Sequence, residues 1–374
     1  MKIAICGGGN VAHVLVGLLS QRDGLEVRVL TRQPARWADA IQVLGDDDQV
    51  SIGRASLISN QADEVIPDAD LVILALPAYA RAAMLKMIAP QLSGDVWVGS
   101  FPGSGGFDWM AQQILQGTGA RVSIFGAQRV PYISRIIDYG KKVYGSPKKE
   151  GISIAAIPQA KSRDIAAILE NILQMPVGCL NNFLEITLAT SNPILHPARI
   201  YTLFCDYGPD QFWPEPMLFY EGWDDTASEW LIKMDREVHE IFSCIPLDLS
   251  GIVPLLQHYG VEDAAALTRK ISSIESFKGI PTPMLQTADG FVPDFQSRYF
   301  TEDIPYGLLI IKGVAEITST ATPAIDTILT WAQEMMHKEY LIGTKLDGKD
   351  IAGSPIPQNS GITTTDDLIQ RATQ

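Results

Sequence analysis

Residues 2–20, KIAICGGGNVAHVLVGLLS, decide the first half of the fold. Lys2 to Cys6 is a short apolar run that ends in glycines, and an apolar helical pattern begins directly after them. The glycine run supplies Gly7, Gly9 and Ala12 in a G-x-G-x-x-G/A pattern, with Asn10 and Val11 between. In such a loop the first glycine allows the tight turn and the second admits a pyrophosphate to the backbone. The small third residue lets helix pack on strand. An anion then rests on the free N–H groups of the helix N-terminus, favoured by the macrodipole. A strand, this loop and a helix in that order predict dinucleotide binding.

Working outward, the next apolar run is Glu26 to Leu30, followed by TRQPARW. A dinucleotide site of this kind uses an acid near the end of its second strand to hold ribose hydroxyls. Thr31 and Arg32 stand there instead, with Arg36 one turn further. An arginine fork suits a 2′-phosphate, so NADP(H) is favoured as cofactor and NAD(H) is possible; two solvated surface cations are the alternative. Further short apolar runs cover Leu71 to Leu76, Val96 to Ser100, Val122 to Phe125 and Ile152 to Pro158, with Ser162 as a candidate N-cap for a helix to about Gln174. Strands alternating with helices predict an α/β domain, a Rossmann doubly wound parallel sheet covered on both faces. LPAYA, with Leu76 and Pro77, and FPGSGGF at 101–107 would lie at carboxyl ends of strands, where ligands bind in such sheets; ordinary turn chemistry accounts for them equally well.

Beyond residue 182 the period changes. Trp230, Met234, Val238 and Ile241 share a helical face, and Thr322-Pro323 reads as N-cap and first helical residue of another helix. The expected division is a dinucleotide-binding domain at 1–182 and an all-α substrate-binding domain at 183–374, with KGIPTP and TADGFVPDF as loops.

The whole-chain numbers agree with two cored domains: 374 residues, 46% hydrophobic, 19% charged. A formal net charge of -14 argues against nucleic acid and against anionic membrane surfaces as partners. Cys6, Cys179, Cys205 and Cys244 have neither zinc spacing nor a compact disulfide pattern, and no metal site is expected. Without a signal-like start or a run of about 20 apolar residues, the expected location is cytoplasmic. Nothing in the sequence indicates an oligomeric state.

Hydride chemistry needs a proton donor or acceptor from the protein. Of His13, His196, His239, His258 and His337, only His196 has unusual surroundings, in SNPILHPAR at 191–199. Asn192 is a natural N-cap and Pro193 a natural first helical residue. Pro197 lacks the N–H that would bond the carbonyl of Pro193, so the helix should bend there. An imidazole at a bend suits general acid/base work; from spacing alone, a buried structural histidine suits it as well.

SNPILHPAR resembles the Asn-Pro-x-x-His-Pro segment of the opine dehydrogenases of the octopine and nopaline type. GGGNVAH, LPAYA, PGSGGF and RYFTEDIPYGL (298–308) extend the resemblance over nearly the whole chain. It implies a Rossmann domain joined to a helical domain with substrates bound between them. The implied reaction condenses an amino acid with a 2-oxo acid and reduces the imine with NAD(P)H. His196 would be the acid/base. Asp303 would fix its tautomer and favour its charged form, and Arg298 would clamp the 2-oxo acid carboxylate with two parallel hydrogen bonds. Without the resemblance, Asp303 reads as a helix N-terminal charge and Arg298 as a loop cation. Gln128 to Asp138 matches no substrate subclass, and the aromatic stretch 199–223, with Asp206, Asp210, Glu215 and Glu221, reads mainly as packing plus an exposed loop. Two other readings are a related reductase of 2-oxo or 3-hydroxy acids without an amine partner, and a non-catalytic dinucleotide-responsive protein.

Overall fold

The computed structural model describes residues 1–46, 49–147, 150–189 and 192–374. The chain forms two compact units, one of Met1–Thr187 with Gln370–Gln374, the other of Leu188–Ile369.

Among the described residues the first unit has twelve strands: β1 Lys2–Cys6, β2 Glu26–Leu30, β3 Ile41–Leu44, β4 Val50–Gly53, β5 Leu57–Ser59, β6 Leu71–Leu74, β7 Asp95–Ser100, β8 Arg121–Ala127, β9 Tyr132–Asp138, β10 Lys142–Pro147, β11 Ile152–Ile157 and β12 Val177–Cys179. Its helices are α1 Asn10–Leu19, α2 Ala62–Val65, α3 Ala78–Ile88, α4 Phe107–Leu115, α5 Ser162–Leu173 and α6 Leu184–Thr187. The main sheet runs β12-β11-β8-β7-β6-β1-β2-β5. From β5 to β8 every pair is parallel, and the order reverses between β1 and β6. Such a reversal opens a crevice at the carboxyl ends of the two strands.

Strand residues feed two cores in alternation. Ile3, Ile5, Leu71 and Ile73 pack with α1 and α5 on one face, while Ala4, Cys6, Val72 and Leu74 pack with α2, α3 and α4 on the other. Burial on both faces is why these strands read as unbroken apolar runs, and each buried isoleucine or leucine contributes about 1.5–3 kcal/mol.

Local differences from the sequence reading have local causes. β11 runs antiparallel to β8, so the expected parallel sheet is mixed at one end. Four strands form a separate sheet, β4-β3-β10-β9, beside α1. The expected strand at Leu71 to Leu76 stops at Leu74, because Ala75 and Leu76 already turn toward α3. Ser162 is not a cap: the helix starts at Ser162 itself, and its Oγ accepts the amide of Ala156 at 3.1 Å. At the end of the chain, the amide of Phe183 bonds the Ala372 carbonyl and Gln112 bonds the Arg371 carbonyl, so Gln370–Gln374 complete the first unit.

Asp108, in the first turn of α4, is fully buried, with Oδ1 accepting the Thr187 hydroxyl at 2.9 Å and Oδ2 without a partner among the described residues. Burial pushes its carboxyl up to about 7. The folded state therefore holds this proton more tightly than the unfolded chain. Stability present below about pH 4 is lost progressively as pH rises toward and through 7. Melting temperature should fall between pH 5 and 8, and Asp108→Asn should flatten that slope; an unchanged slope in the variant would assign the dependence elsewhere.

In the second unit the helices are α7 Asn192–Phe204, α8 Asp225–Ser243, α9 Leu255–Tyr259, α10 Ala264–Ser272, α11 Arg298–Thr301, α12 Leu309–Ile317, α13 Pro323–Met335 and, leading into the final residues, α14 Thr365–Thr373. α8 packs against α7, α10 and α13, burying Met234, Val238 and Ile241 as their spacing predicts, while Trp230 is half-buried. Two features depart from the reading. TADGFVPDF is not all loop: Met284–Gln286 and Phe291–Pro293 pair as a hairpin, β13 and β14, closed by Thr287 and Gly290. Thr322 sits at the cap position of α13 but does not cap it. The carboxylate of buried Glu237 reaches across from α8 to accept the amides of Ala324 and Ile325 at 2.6 and 3.0 Å, leaving the Thr322 hydroxyl to Lys312 and Asp326. Among the described residues no helix is long and apolar enough to cross a membrane.

Candidate active site

In the first unit the glycine loop follows β1 at the strand-order reversal, so the expected cofactor residues converge. The Gly7 amide bonds the carbonyl of Leu30 at the end of β2, and the Ala75 amide bonds the carbonyl of Cys6. Gly7, Thr31, Arg32, Leu76 and Pro77 thereby share the carboxyl edge of three adjacent strands. Gly7 adopts φ +143, and a Cβ there would lie 2.4 Å from the Ala75 carbonyl oxygen, so only glycine fits. Gly9, by contrast, faces open space and occupies the cap position of α1 without a side-chain cap. The first helical bond runs from His13 to Gly9, so the amides of Asn10, Val11 and Ala12 have no acceptor within the helix. An open, uncapped helix start suits a pyrophosphate.

Around that loop, Asn10 turns its side chain to accept the amide of Ile136 at 2.9 Å, tying β9 to α1, and Ala12 is fully buried. Arg32 is exposed, and its side chain has no partner among the described residues. Arg36 is engaged: it bonds Gln33 at 2.8 Å and lies 4.3 Å over the ring of Tyr139. Both ring nitrogens of His13 are engaged in the fold, Nδ1 on the Gly9 carbonyl and Nε2 accepting the amide of Gly140 at 2.8 Å, and its ring is stacked 4.2 Å from Trp37.

In the second unit, α7 carries His196 and runs without interruption through Pro197, from Asn192 to Phe204. Asn192 is the first helical residue rather than the cap; Ser191, which precedes it, lies outside the described residues. His196 is only 8% exposed. Its Nδ1 donates to Asp303 Oδ2 at 2.8 Å. Asp303 stands two residues past the short helix α11, at the start of a single π-helical turn, Ile304–Leu308, in which the Leu308 amide bonds the Asp303 carbonyl. Gly307 in that turn has room for no side chain, since a Cβ would meet Pro193 at 2.9 Å. The π turn therefore seats directly on the start of α7, and this approach brings a carboxylate to a histidine 107 residues away in the chain. Burial pushes the Asp303 carboxyl up, opposed by the adjacent imidazole. A desolvated carboxylate is a stronger acceptor for the Nδ1 proton.

Arg298 is exposed, with Nε and Nη2 both on one carboxylate oxygen of Glu302 at 2.6 and 2.5 Å. The Asp303 amide bonds the Arg298 carbonyl at 3.3 Å, while among the described residues the Arg298 guanidinium bonds neither the Asp303 carboxylate nor His196.

Sequence reasoning missed two residues. Tyr220 places its hydroxyl 2.8 Å from His196 Nε2. Buried Arg199, three positions after His196, holds the segment that carries Tyr220: Nε bonds the Phe219 carbonyl at 3.1 Å, Nη2 the Gly222 carbonyl, and Nη1 the Asp224 carboxylate at 2.8 Å. The only signal was the aromatic content of 199–223. That stretch is packing, as its residues suggest, with Phe204, Phe219, Tyr220 and Trp223 buried, while Asp206, Asp210, Glu215 and Glu221 are all exposed, Glu221 accepting the amide of Gly279 at 2.7 Å.

Comparison with known proteins agrees with both halves. Residues 179–336 match the family described as NAD/NADP octopine/nopaline dehydrogenase, alpha-helical domain, and residues 3–101 match ketopantoate reductase PanE/ApbA. The chain is 31% identical to tauropine dehydrogenase of Arabella iricolor, over 98% of this chain and 99% of that one. It is 33% identical to octopine dehydrogenase of Pecten maximus, over 99% and 98%. A solved octopine dehydrogenase, described with NADH and pyruvate, superposes with a TM-score of 0.88 at 32% identity, over 99% and 98% of the two chains.

Proposed function

The chain belongs to the octopine/nopaline dehydrogenase family and is an NAD(P)-dependent oxidoreductase of the opine dehydrogenase type, and on that premise we propose that it joins the amino group of an amino acid to a 2-oxo acid such as pyruvate. The balance is amino acid, 2-oxo acid, NAD(P)H and a proton in; secondary amine dicarboxylate, NAD(P)⁺ and water out. The observation that carries the reading is the His196–Asp303 bond in a buried setting, because condensation needs a proton moved at one defined oxygen.

The amine attacks the carbonyl carbon, and His196 supplies the proton with which the carbonyl oxygen leaves as water. Asp303 holds the imidazole in the tautomer with hydrogen on Nδ1, so that Nε2 is the working nitrogen, and stabilises the imidazolium. Arg298 serves the 2-oxo acid carboxylate. Its exposed guanidinium spends two nitrogens on a single oxygen of Glu302, and Nη1 has no partner among the described residues. A dinucleotide, when bound, would supply hydride chemistry, and the open helix start at Gly9 with the amides of Asn10 to Ala12 would hold its pyrophosphate.

NADP(H) is the proposed preference, on Thr31 and exposed Arg32 where an acid would mark NAD(H). Arg36, held by Gln33 and Tyr139, is a lesser contributor. Arg32→Ala should weaken NADPH binding by about tenfold or more, as expected for one charge-assisted hydrogen bond, and NADH binding much less. Equal losses for the two cofactors would contradict the 2′-phosphate role.

The deciding experiment follows oxidation of NADPH and NADH with pyruvate, with and without a panel of amino acids and taurine, and then measures the product mass. Oxidation that requires an amine, with a product heavier by the condensed pair, supports the proposal. Amine-independent oxidation to a 2-hydroxy acid would sink it in favour of a simple reductase.

A further inference from the structure

Both nitrogens of His196 are occupied, Nδ1 by Asp303 and Nε2 by the hydroxyl of Tyr220, each at 2.8 Å. An imidazole passes protons only through its nitrogens. A substrate oxygen is therefore reached either by breaking the Tyr220 bond or through it.

The surroundings of Tyr220 oppose breaking it. The ring is stacked on Phe277, with centroids 4.1 Å apart and planes at 19°, lies parallel to Trp223 at 6.4 Å, and meets Phe219 edge-on at 4.8 Å. Tyr220 is 6% exposed. Arg199 pins the backbone on both sides of it through the carbonyls of Phe219 and Gly222. A phenol held at its ring faces and its flanking peptides cannot swing aside without dismantling that packing. Its hydroxyl hydrogen, however, rotates at almost no cost.

We propose that Tyr220 is the relay through which His196 delivers its proton, making the working unit a line of Asp303, His196 and Tyr220; the inference rests on the opine-type reading above. With neutral imidazole, Nδ1–H donates to Asp303 and Nε2 accepts the Tyr220 O–H. With imidazolium, Nε2–H donates to the phenol oxygen, and the phenol hydrogen turns outward. When the carbinolamine collapses, its C–O bond breaks and the electron pair leaves with oxygen, which takes the phenol proton. The nitrogen lone pair forms the C=N bond, and the phenol oxygen takes the Nε2 proton in the same motion. Water departs, the imidazole is neutral, Tyr220 is again a phenol, and the substrate is an iminium ion. Burial pushes the Tyr220 phenol well above its ordinary value, so a free tyrosinate is not formed on the way and the two transfers are concerted.

Tyr220→Phe keeps the ring and its stacking and removes only the hydroxyl. Its kcat should fall by about 10²-fold, in the range of lost acid catalysis, with KM for pyruvate and amine within about threefold and the melting temperature little changed. In mixtures of H₂O and D₂O, kcat/KM of the parent enzyme should curve with deuterium content, two protons being in flight, and that of Tyr220→Phe should be linear. On a His196→Ala background Tyr220→Phe should add no further loss, as for residues acting as a unit. Retained kcat, or losses that multiply, would overturn the relay. An activity-free readout separates this from the choice of substrate: nitrogen NMR of the His196 ring should show the Nε2 resonance shifting in Tyr220→Phe while Nδ1 stays. An unmoved Nε2 overturns the inference even if opine synthesis is established. A wild-type enzyme without amine-dependent activity overturns the reaction reading and leaves that resonance to decide the contact.

Discussion

His196→Ala should lower kcat by about 10²–10⁴-fold, the range for loss of a positioned acid/base, while NADPH still binds. The two halves of that expectation have separate sources. Turnover is assigned by the proposal to an imidazole that is buried, bonded at both nitrogens and backed by a carboxylate pushed up by desolvation. Cofactor binding is assigned by the proposal to Gly7 to Ala12 and the ends of β2 and β6, all in the other compact unit. The variant also leaves Asp303 and the Tyr220 hydroxyl without their shared partner, which costs about 1–3 kcal/mol of stability per unsatisfied buried group. Activity should therefore be compared well below the melting temperature, with the cofactor-fluorescence titration run on the same sample. Unchanged turnover would remove His196 from the mechanism, and joint loss of turnover and cofactor binding would indicate misfolding. Asp303→Asn is the milder companion: it keeps the shape and removes the charge that favours imidazolium, so kcat should fall less than in His196→Ala.

The sequence disclosed most where a single local rule governs. β1 and β6 announce themselves because strands buried on both faces leave little room for polar residues, and the glycine loop because φ +143 and the close Ala75 carbonyl at Gly7 demand glycine. β3, β4, β9 and β10 were passed over because strands in a sheet packed on one side carry alternating patterns, as in VSIG and YISRIID, which are weak over so few residues. Non-local substitution of one group for another was invisible. The α13 cap comes from Glu237 rather than Thr322, and nothing in TATPAI points to a carboxylate on α8. The same holds at the site. His196 and Asp303 were found through a motif pair, yet what joins them is a π turn and the contact of Gly307 with Pro193, neither of which has a local signature. Tyr220 is held near His196 by Arg199, the last residue of SNPILHPAR, whose role depends on the fold of 219–224 and has no local signature.

Gly7→Ala should be the most damaging single-methyl change in the dinucleotide loop, and pairing it with Gly9→Ala separates two kinds of damage. At Gly7 the new Cβ would sit 2.4 Å from the Ala75 carbonyl oxygen, which belongs to backbone at the end of β6 and cannot rotate away. The φ of +143 is itself strained for alanine, at about 1–3 kcal/mol, and overpacking adds about 1–3 kcal/mol. Relief requires the Ala75–Leu76 turn to retreat or the Gly7 amide to give up the Leu30 carbonyl, and either one pulls apart the edge on which Thr31, Leu76 and Pro77 meet. The expected result is a melting temperature lower by several degrees together with a loss of cofactor affinity exceeding tenfold. At Gly9 a Cβ meets nothing within 4 Å, so Gly9→Ala should fold with the stability of the parent. Its methyl group occupies the space above the helix start, where the second glycine of the pattern lets a pyrophosphate approach, so its loss should appear in NADPH and NADH binding alone. A Gly9→Ala protein that binds both cofactors as the parent does would mean that the pyrophosphate lies elsewhere, whatever Gly7→Ala does to stability.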